Sequence, residues 1–355
     1  MMVRTSISHF LLSMMALAAF STSVSADVGQ APAIDGLFSK WSKETSPDCA
    51  VGVYLNDDLA FARGYGMASL ELRVPITPET VFDIGSTSKQ FTAAAIVLLA
   101  QDGKISLDDD IRKYLPEIPD YGAPVTIRQV LNHTGGLRDY VTLLAFADVD
   151  FDDVSTPAQA LATLSRQKAL NYAPGTQYPY SNSGYFVVAL IVERVSGQSL
   201  RQFAQQRIFA PLGMRNTHYK DDHAEVIPGR ASAYREEEPE HYKLSQPNWE
   251  QVGDGGVVTT VGDLLLWQRN FSDPKLGDAG FVAEMLRTGT LADGQALNYA
   301  SGLMVDDHNG LTIIHHGGSW GGYRAEMIRF PDRHISVSTL CNTSNIDASA
   351  LAIQV

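Results

Sequence analysis

The chain contains little positive charge and no clear metal-binding pattern. Its 355 residues include 27 Lys and Arg against 40 Asp and Glu, which gives a net charge of −13. Such an acidic protein interacts poorly with nucleic acid or with an anionic membrane surface, so we expect neither as a partner. The nine histidines show no paired spacing with cysteines or carboxylates. We therefore predict no bound metal, and no motif in the chain indicates a cofactor.

Cysteine is scarce, with Cys49 and Cys341 as the two examples. Neither lies in a sequence typical of a catalytic cysteine, which argues against thiol chemistry. In an oxidising compartment an even number of cysteines favours a disulfide. Two free buried thiols are equally compatible with the sequence, so the pairing stays open at this point.

The apolar run over residues 10–20 is too short to span a membrane comfortably. Arg4 precedes this run, and the small residues Val24-Ser25-Ala26 follow it. This arrangement predicts a secretory signal peptide over residues 1–26, cleaved after Ala26. We expect a periplasmic or secreted mature protein, residues 27–355, that does not insert into the membrane.

The order of the predicted elements indicates the α/β (α+β) class. A hairpin is predicted over residues 49–64, helices dominate residues 108–235, and strands return at 311–315, 323–330 and 335–340. We predict an α/β domain built from residues 27–80 and 240–355, with a helical domain, residues 81–239, inserted into it. A final helix is predicted over 346–355, and because it ends without a cap we expect the natural protein to be longer or this chain to be a fragment.

Ser86 and Lys89 form the most informative motif. A strand-like run over residues 80–85 precedes them, and a helical run over 90–101 follows. Residues three apart share a helix face, so Lys89 can reach the Ser86 hydroxyl. The N–H groups of the first helical turn disfavour a cationic amine, which helps a neutral Lys89 accept the proton of Ser86. The alternative interpretation is that Ser86 is a plain N-cap serine.

The Ser-x-x-Lys spacing occurs twice more in the chain. Ser165 and Lys168 fall in an amphipathic stretch, residues 156–170, where a solvated helical position is expected. Ser272 and Lys275 flank Asp273-Pro274, which is typical of a loop. We therefore select Ser86 as the candidate nucleophile.

Two further segments supply groups that a Ser–Lys pair needs. In Tyr180-Ser181-Asn182, a phenol with a lowered pKa can act as base, and the Asn182 amide can hold Lys89 or a substrate carbonyl. The segment His315-His316-Gly317-Gly318-Ser319 follows a predicted strand, and its glycines allow a ligand backbone to approach. The amides of Ser319 and Ser86 can then form an oxyanion hole. The alternatives are a run of loop aromatics and a Gly-rich turn with a structural histidine.

Five segments in this order resemble the serine β-lactamase and penicillin-binding-protein superfamily, especially its class C branch of esterases, D-aminopeptidases and DD-peptidases. They are residues 82–92 (FDIGSTSKQFT), 131–137 (LNHTGGL), 180–182 (YSN), 253–260 (GDGGVVTT) and 316–318 (HGG). The resemblance implies a five-stranded antiparallel sheet flanked by helices, with an inserted all-helical domain. It places the first and last strands side by side, which favours a Cys49–Cys341 disulfide.

The resemblance also implies roles for individual residues. Ser86 is expected to be the acylated nucleophile, Lys89 its proton acceptor and Tyr180 the base that serves the leaving group or the deacylating water. Asn182, His316 and Gly318 are expected to bind substrate, and the amides of Ser86 and Ser319 to form the oxyanion hole.

The last of the five segments, residues 316–318, departs from the class C pattern, because His316 and Gly317 stand where Lys and Thr are usual. A mostly neutral His gives weaker recognition of a substrate carboxylate than a fixed Lys charge. We therefore expect an exported serine hydrolase that acts on small esters, D-amino-acid amides or peptides. The alternatives are a class C-type β-lactamase or DD-carboxypeptidase and, in another class, a non-catalytic penicillin-binding or sensor protein.

Overall fold

The computed structural model describes residues 30–355, so the predicted signal peptide lies outside the described residues. The α-helices are α1 (Ala31–Phe38), α2 (Lys89–Gln101), α3 (Ile127–Leu131), α4 (Tyr140–Ala145), α5 (Pro157–Ser165), α6 (Asn182–Ser196), α7 (Leu200–Ala204), α8 (Ala210–Leu212), α9 (Val261–Arg269), α10 (Phe281–Met285) and α11 (Ala348–Gln354). Within residues 30–355, no helix combines the length and the apolar character needed to cross a membrane.

The strands are β1 (Cys49–Leu55), β2 (Asp58–Gly64), β3 (Met67–Ser69), β4 (Val74–Pro75), β5 (Phe82–Asp83), β6 (His218–Tyr219), β7 (Tyr234–Glu238), β8 (His241–Leu244), β9 (Val257–Thr259), β10 (Met304–His308), β11 (Leu311–Trp320), β12 (Tyr323–Phe330) and β13 (Ile335–Cys341). The main sheet is antiparallel, with the order β10-β11-β12-β13-β1-β2. A mixed fold with helices flanking sheets was predicted, and the structure confirms it.

The main sheet has six strands, so the prediction of five was wrong. The additional strand, β10, pairs with the first half of β11 at the sheet edge. Its sequence, Met-Val-Asp-Asp-His, carries two adjacent acidic residues and is not fully buried at any position, which hides its strand character from hydrophobic patterning. Strand β11 also runs through Gly317 and Gly318 to Trp320, beyond the predicted end at His315.

Strands β1 and β13 are antiparallel neighbours, and Cys49 lies directly opposite Cys341. The two residues form a disulfide and are fully buried. This bond joins the two ends of the fold, because 292 residues separate the two cysteines along the chain.

The outer face of the sheet packs against α1 and α11. Ile34 and Phe38 of α1 and Leu351 of α11 bury their side chains with Val51 and Ile328 of the sheet. A larger apolar core on the other side contains most of α2 and α6, whose near-continuous apolar sequences agree with burial on most sides. Helix α2 is buried from Lys89 to Leu99, and the candidate nucleophile Ser86 lies on the turn that leads into this helix.

Local chemistry explains several helix ends. Thr156 and Gln159 form a capping box with Pro157 in the first turn of α5, and Gly197 ends α6 in the left-handed conformation with φ 71°. One boundary differs from the prediction, because α5 ends at Ser165, whereas the amphipathic stretch continues to residue 170. A π-helical segment, Gln205–Phe209, follows α7. Pro211 has no amide to complete an ordinary helical ladder there.

Candidate active site

The candidate nucleophile lies on a 3₁₀ turn, Gly85–Ser88, between β5 and α2. Gly85 has φ 49°, and a Cβ atom at this position would lie 2.7 Å from the Ser319 amide nitrogen, so glycine is required by both conformation and space. The Asp83 carboxylate accepts a hydrogen bond from the Gly85 amide at 2.8 Å. Thr87 Oγ donates to the His316 carbonyl at 3.0 Å, which joins the turn to β11.

Lys89 connects the nucleophile to two other segments. Its Nζ lies 3.1 Å from Ser86 Oγ, 2.9 Å from Asn182 Oδ1 and 2.6 Å from the Asp254 carbonyl oxygen. The Lys89 residue is fully buried. Burial lowers the pKa of Lys89, although the carboxylates of Asp254 and Asp139 act in the opposite direction. The second and third contacts use two N–H donors, which leaves the lone pair of a neutral amine for the Ser86 hydroxyl.

Tyr180 stands beside the Ser–Lys pair. Its ring centre is 4.9 Å from Lys89 Nζ, and contact with the Ser86 hydroxyl acts to lower the pKa of the phenol. Burial outweighs this contact and raises the pKa of Tyr180 above its ordinary value of 10, so the prediction of a lowered pKa was wrong. Tyr180 as a whole keeps 42% of its surface exposed. The burial that raises its pKa therefore concerns the phenol end of the side chain, which faces inward.

His133 supports the segment that carries Tyr180. Its ring packs against the Tyr180 ring with centroids 4.2 Å apart, and its Nδ1 accepts a hydrogen bond from the Ser181 amide at 3.2 Å. The Asn182 amide donates to Asp139 Oδ2 at 2.6 Å at the start of α6. His133 belongs to one of the five segments, residues 131–137, and these contacts show how it orients the adjacent segment.

His316 is less available to substrate than the sequence suggested. The residue is 4% exposed. Its Nδ1 donates to the Gly317 carbonyl at 2.6 Å, which leaves Nε2 to accept a hydrogen bond from the Tyr299 hydroxyl at 2.9 Å. Burial, together with the Lys89 charge, lowers the pKa of His316 to about 3. The ring is therefore neutral with both nitrogens engaged, and a charged contact with substrate does not fit this geometry.

Gly318 explains how β11 reaches the nucleophile. A Cβ atom there would lie 1.9 Å from the Ile84 carbonyl oxygen and 2.9 Å from Thr87 Oγ. This close approach puts Ser319 next to the turn that carries Ser86. The predicted pair of oxyanion-hole residues is therefore brought together, with Ser86 and Ser319 both lining two adjoining cavities.

The two cavities differ in size. One has a volume of about 600 Å³ and is bounded by the second half of β11 and by residues 344–349. The other, of about 100 Å³, is bounded by Asn182, Asp254 and Trp249, among others. Ser86, Tyr180 and Ser319 line both cavities, so the candidate nucleophile lies where the two meet.

Several residues of the site were not found from sequence. The Asp254 carbonyl accepts from Lys89, while its carboxylate accepts from the Tyr140 hydroxyl at 2.9 Å. Burial raises the pKa of the Asp254 carboxyl. Residues 253–260 were recognised as one of the five segments, but a main-chain hydrogen-bond acceptor has no side-chain signature in the sequence. Tyr299, the partner of His316, lies outside every recognised motif.

The other two Ser-x-x-Lys matches have ordinary structural surroundings. Ser165 Oγ donates to the Ala162 carbonyl at the end of α5. Ser272 lies just after α9, and its Oγ donates to Asp57 Oδ2 at 2.7 Å. These contacts agree with the choice of Ser86.

Among residues 30–355, one group of side chains has the spacing of metal ligands. Asp222, His223 and Glu250 hold ligand atoms within 4.8 Å of one another. His223 Nδ1 and Glu250 Oε1 are 2.7 Å apart, so a hydrogen bond already accounts for their approach. The absence of a metal and of a cofactor stays a prediction.

A protein-family model described as Beta-lactamase matches residues 34–353 of the chain. The chain belongs to the beta-lactamase family. This result confirms the superfamily predicted from the five segments. The match extends over β1 to β13 and includes every residue of the candidate site.

Relatives of this beta-lactamase family member include D-aminopeptidases. That of Brucella anthropi is 29% identical over 301 residues, which are 83% of this chain and 56% of that protein. The chain thus spans about half the length of the curated relatives it matches. These relatives support the prediction of a serine hydrolase with the β-lactamase fold.

Solved structures show the same fold. The penicillin-binding protein homologue from Pyrococcus abyssi, described as octameric, has a TM-score of 0.81 and 28% identity, covering 92% of this chain and 76% of that chain. The D-amino acid amidase from Ochrobactrum anthropi SV3 has a TM-score of 0.74 over 91% of this chain and 94% of that chain. Its identity is 22%, so this likeness concerns the fold alone.

Proposed function

We propose that this chain is an exported serine hydrolase that cleaves amide or peptide bonds after D-amino acids, and small esters, through an acyl-enzyme on Ser86. The contact of buried Lys89 with Ser86 Oγ at 3.1 Å is the observation that carries the proposal. The names of the D-aminopeptidase relatives support the substrate class. The N-terminal sequence pattern supports export to the periplasm or the medium.

In the first step, neutral Lys89 accepts the Ser86 proton while Oγ attacks the substrate carbonyl. The amides of Ser86 and Ser319 stabilise the oxyanion. Tyr180 delivers a proton to the leaving nitrogen as the C–N bond breaks, and the resulting phenolate is reprotonated from Lys89. Burial raises the pKa of Tyr180, so its phenol is protonated before this step and carries the proton that is delivered. Water then attacks the ester, which releases the acid and restores Ser86.

The nucleophile is tested by covalent labelling of the mature chain with a fluorophosphonate probe, read out by intact mass. Wild type should gain one adduct and Ser86→Ala none. Ser272→Ala is the matched control, because it removes the serine of another Ser-x-x-Lys match and should label like wild type. Equal labelling of Ser86→Ala would refute the assignment.

The substrate class is tested with D-alanine p-nitroanilide, its L-enantiomer, p-nitrophenyl acetate and a chromogenic cephalosporin. We expect a higher kcat/KM for the D-anilide than for its L-enantiomer, and slow turnover of the cephalosporin because His316 gives no fixed charge. Cephalosporin turnover at or above the rates of the anilide and the ester would instead support a β-lactamase. An acyl adduct that persists for hours would indicate a binding or sensor protein.

A further inference from the structure

Three aromatic side chains, those of Tyr140, Trp249 and Trp320, line the smaller cavity beside Ser86. Tyr140 and Trp249 are buried, and Trp320 is the last residue of β11, one position after Ser319. The volume of about 100 Å³ is roughly that of three water molecules in the liquid. A group of a few heavy atoms therefore fits the cavity while the aromatic walls keep their positions.

Trp320 is supported by the loop between α4 and α5, residues 146–156. Phe151 of this loop packs edge-to-face against the Trp320 ring with centroids 4.8 Å apart, and its ring lies 5.4 Å from that of Trp249. The two tryptophan rings contact each other edge-to-face as well, with centroids 5.3 Å apart. Such spacings are those of favourable aromatic pairs. Phe151 is not among the residues that line the cavity, so it acts on the cavity through the two tryptophans that do.

Hydrogen bonds to main-chain carbonyls fix the loop that carries Phe151. The Asn248 amide donates to the Phe151 carbonyl at 3.0 Å, and its side-chain Nδ2 donates to the Asp152 carbonyl at 2.8 Å. The indole Nε1 of Trp249 donates to the Asp150 carbonyl at 2.9 Å. Because these three bonds join the loop to the segment that carries Trp249, Phe151 keeps its place against both tryptophan rings.

We propose that Trp320 limits the size of the acyl group that the enzyme accepts, with Phe151 as the residue that holds Trp320 in position. Short acyl groups, such as acetyl and D-alanyl, are then the preferred substrates. This inference rests on the proposed function and names the class of acyl group within it.

The order of the chemical steps assigns the acyl part to the smaller cavity. The acyl part stays attached to Ser86 between acylation and deacylation, whereas the leaving group departs after the first step. The smaller cavity is enclosed by buried walls, which suits the part that stays. The larger cavity is bounded in part by exposed residues, among them Asn345 and Asp347, which gives the leaving group a route to solvent.

The test varies the size of the acyl group at a constant leaving group. The two pairs are p-nitrophenyl acetate with p-nitrophenyl hexanoate, and D-alanine with D-phenylalanine p-nitroanilide. Wild type should favour the smaller member of each pair in kcat/KM by about tenfold or more, since a single methylene in an apolar pocket already changes discrimination by about 10–200-fold.

Trp320→Ala and Phe151→Ala should each raise the ratio of large to small substrate by about tenfold. Trp320→Phe should raise it less, because the smaller ring still fills part of the space. Phe146→Ala is the matched control, because Phe146 lies in the same loop and is 82% exposed, and it should keep the wild-type ratio.

A second comparison keeps the acyl group and varies the leaving group, with phenyl acetate and 2-naphthyl acetate. The ratio of these two rates should be the same in wild type, Trp320→Ala and Phe151→Ala. A change in this ratio, with the acyl ratios unchanged, would put the leaving group in the smaller cavity and overturn the proposal.

The remaining outcomes separate this inference from the proposed function. A wild type that accepts both acyl sizes equally, or a Trp320→Ala variant with the wild-type acyl ratios, overturns the role of Trp320 and leaves the proposed function standing. A merely structural role of Phe151 would lower the turnover of both members of a pair together and preserve their ratio. A wild type that is not labelled at Ser86 by the fluorophosphonate and turns over none of these substrates overturns the proposed function and this inference with it.

Discussion

Replacing Gly318 with alanine would disturb the site through its backbone, without removing any catalytic group. The new Cβ atom would lie 1.9 Å from the Ile84 carbonyl oxygen, where ordinary contact begins at 3.4 Å. Strand β11 and the turn before Ser86 must therefore separate by about 1.5 Å, unless the change is spread over neighbouring residues. Ser319 follows Gly318 directly, so its amide would move with the strand.

The size of this movement sets the expected loss. A misplacement of about 1 Å in a reacting group costs on the order of a hundredfold in rate, so we expect Gly318→Ala to slow acylation at least that much. Overpacking of a well-packed region costs about 1–3 kcal/mol of unfolding free energy, which should lower the Tm by a few degrees.

Acylation is measured as the rate of fluorophosphonate labelling by intact mass, alongside thermal unfolding and near-UV circular dichroism. Gly36→Ala is the matched control, since Gly36 lies exposed in α1 with no atom within 4 Å of a built Cβ. It should keep the wild-type rate and gain about 0.5–1 kcal/mol from helix propensity. Labelling of Gly318→Ala at the wild-type rate, with an unchanged Tm, would refute the argument that Gly318 sets the distance between β11 and the turn.

Three further results are expected. Burial lowers the pKa of Lys89, and the unprotonated amine is the base. The labelling rate should therefore rise with pH and level off below the ordinary lysine pKa of 10.5. A rate that keeps rising past pH 10.5 would contradict this assignment. Tyr180→Phe should reduce D-anilide turnover by about 10²–10⁴-fold and slow labelling much less, since fluoride needs no proton from a phenol; equal losses would argue against a proton donor. Replacing Cys49 and Cys341 with alanine should cost about 2–5 kcal/mol of unfolding free energy, and added reductant should lower the Tm of wild type but not of the variant. Equal Tm values for wild type and the variant would show that the disulfide contributes nothing to stability.

Segments with a clear local pattern were predicted well. The hairpin of β1 and β2 has turn residues between two apolar runs, and β12 has the predicted bounds, Tyr323–Phe330. Strand β10 and the β7–β8 hairpin were missed, because acidic residues at sheet edges resemble loops. Such segments form strands because they pair with a neighbouring strand, and that strand is either distant in sequence or was itself not predicted.

The residues of the site also fall into two groups, those that a local sequence pattern identifies and those whose properties depend on distant residues. Ser86 and Lys89 were found because three residues of spacing on one helical turn are a local pattern. The environments of Tyr180 and His316 could not be predicted, since burial by distant residues controls both pKa values. Sequence gives the residue type, whereas desolvation depends on the packed structure.

Glycines allow the close backbone approaches that assemble this site. The position of the nucleophile therefore depends on the backbone, whereas the choice of substrate depends on side chains. Gly85 meets the Ser319 amide, Gly318 meets the Ile84 carbonyl, and a Cβ at Gly302 would lie 2.5 Å from the Gln90 amide at the start of α2. These contacts hold the turn carrying Ser86 from two sides without using side chains that face the cavities. Side chains on the cavity walls, such as Trp249, can therefore differ without moving Ser86 relative to Lys89. For this reason we expect substitutions on the walls to change KM and selectivity, and substitutions at the glycines to change the rate of acylation itself.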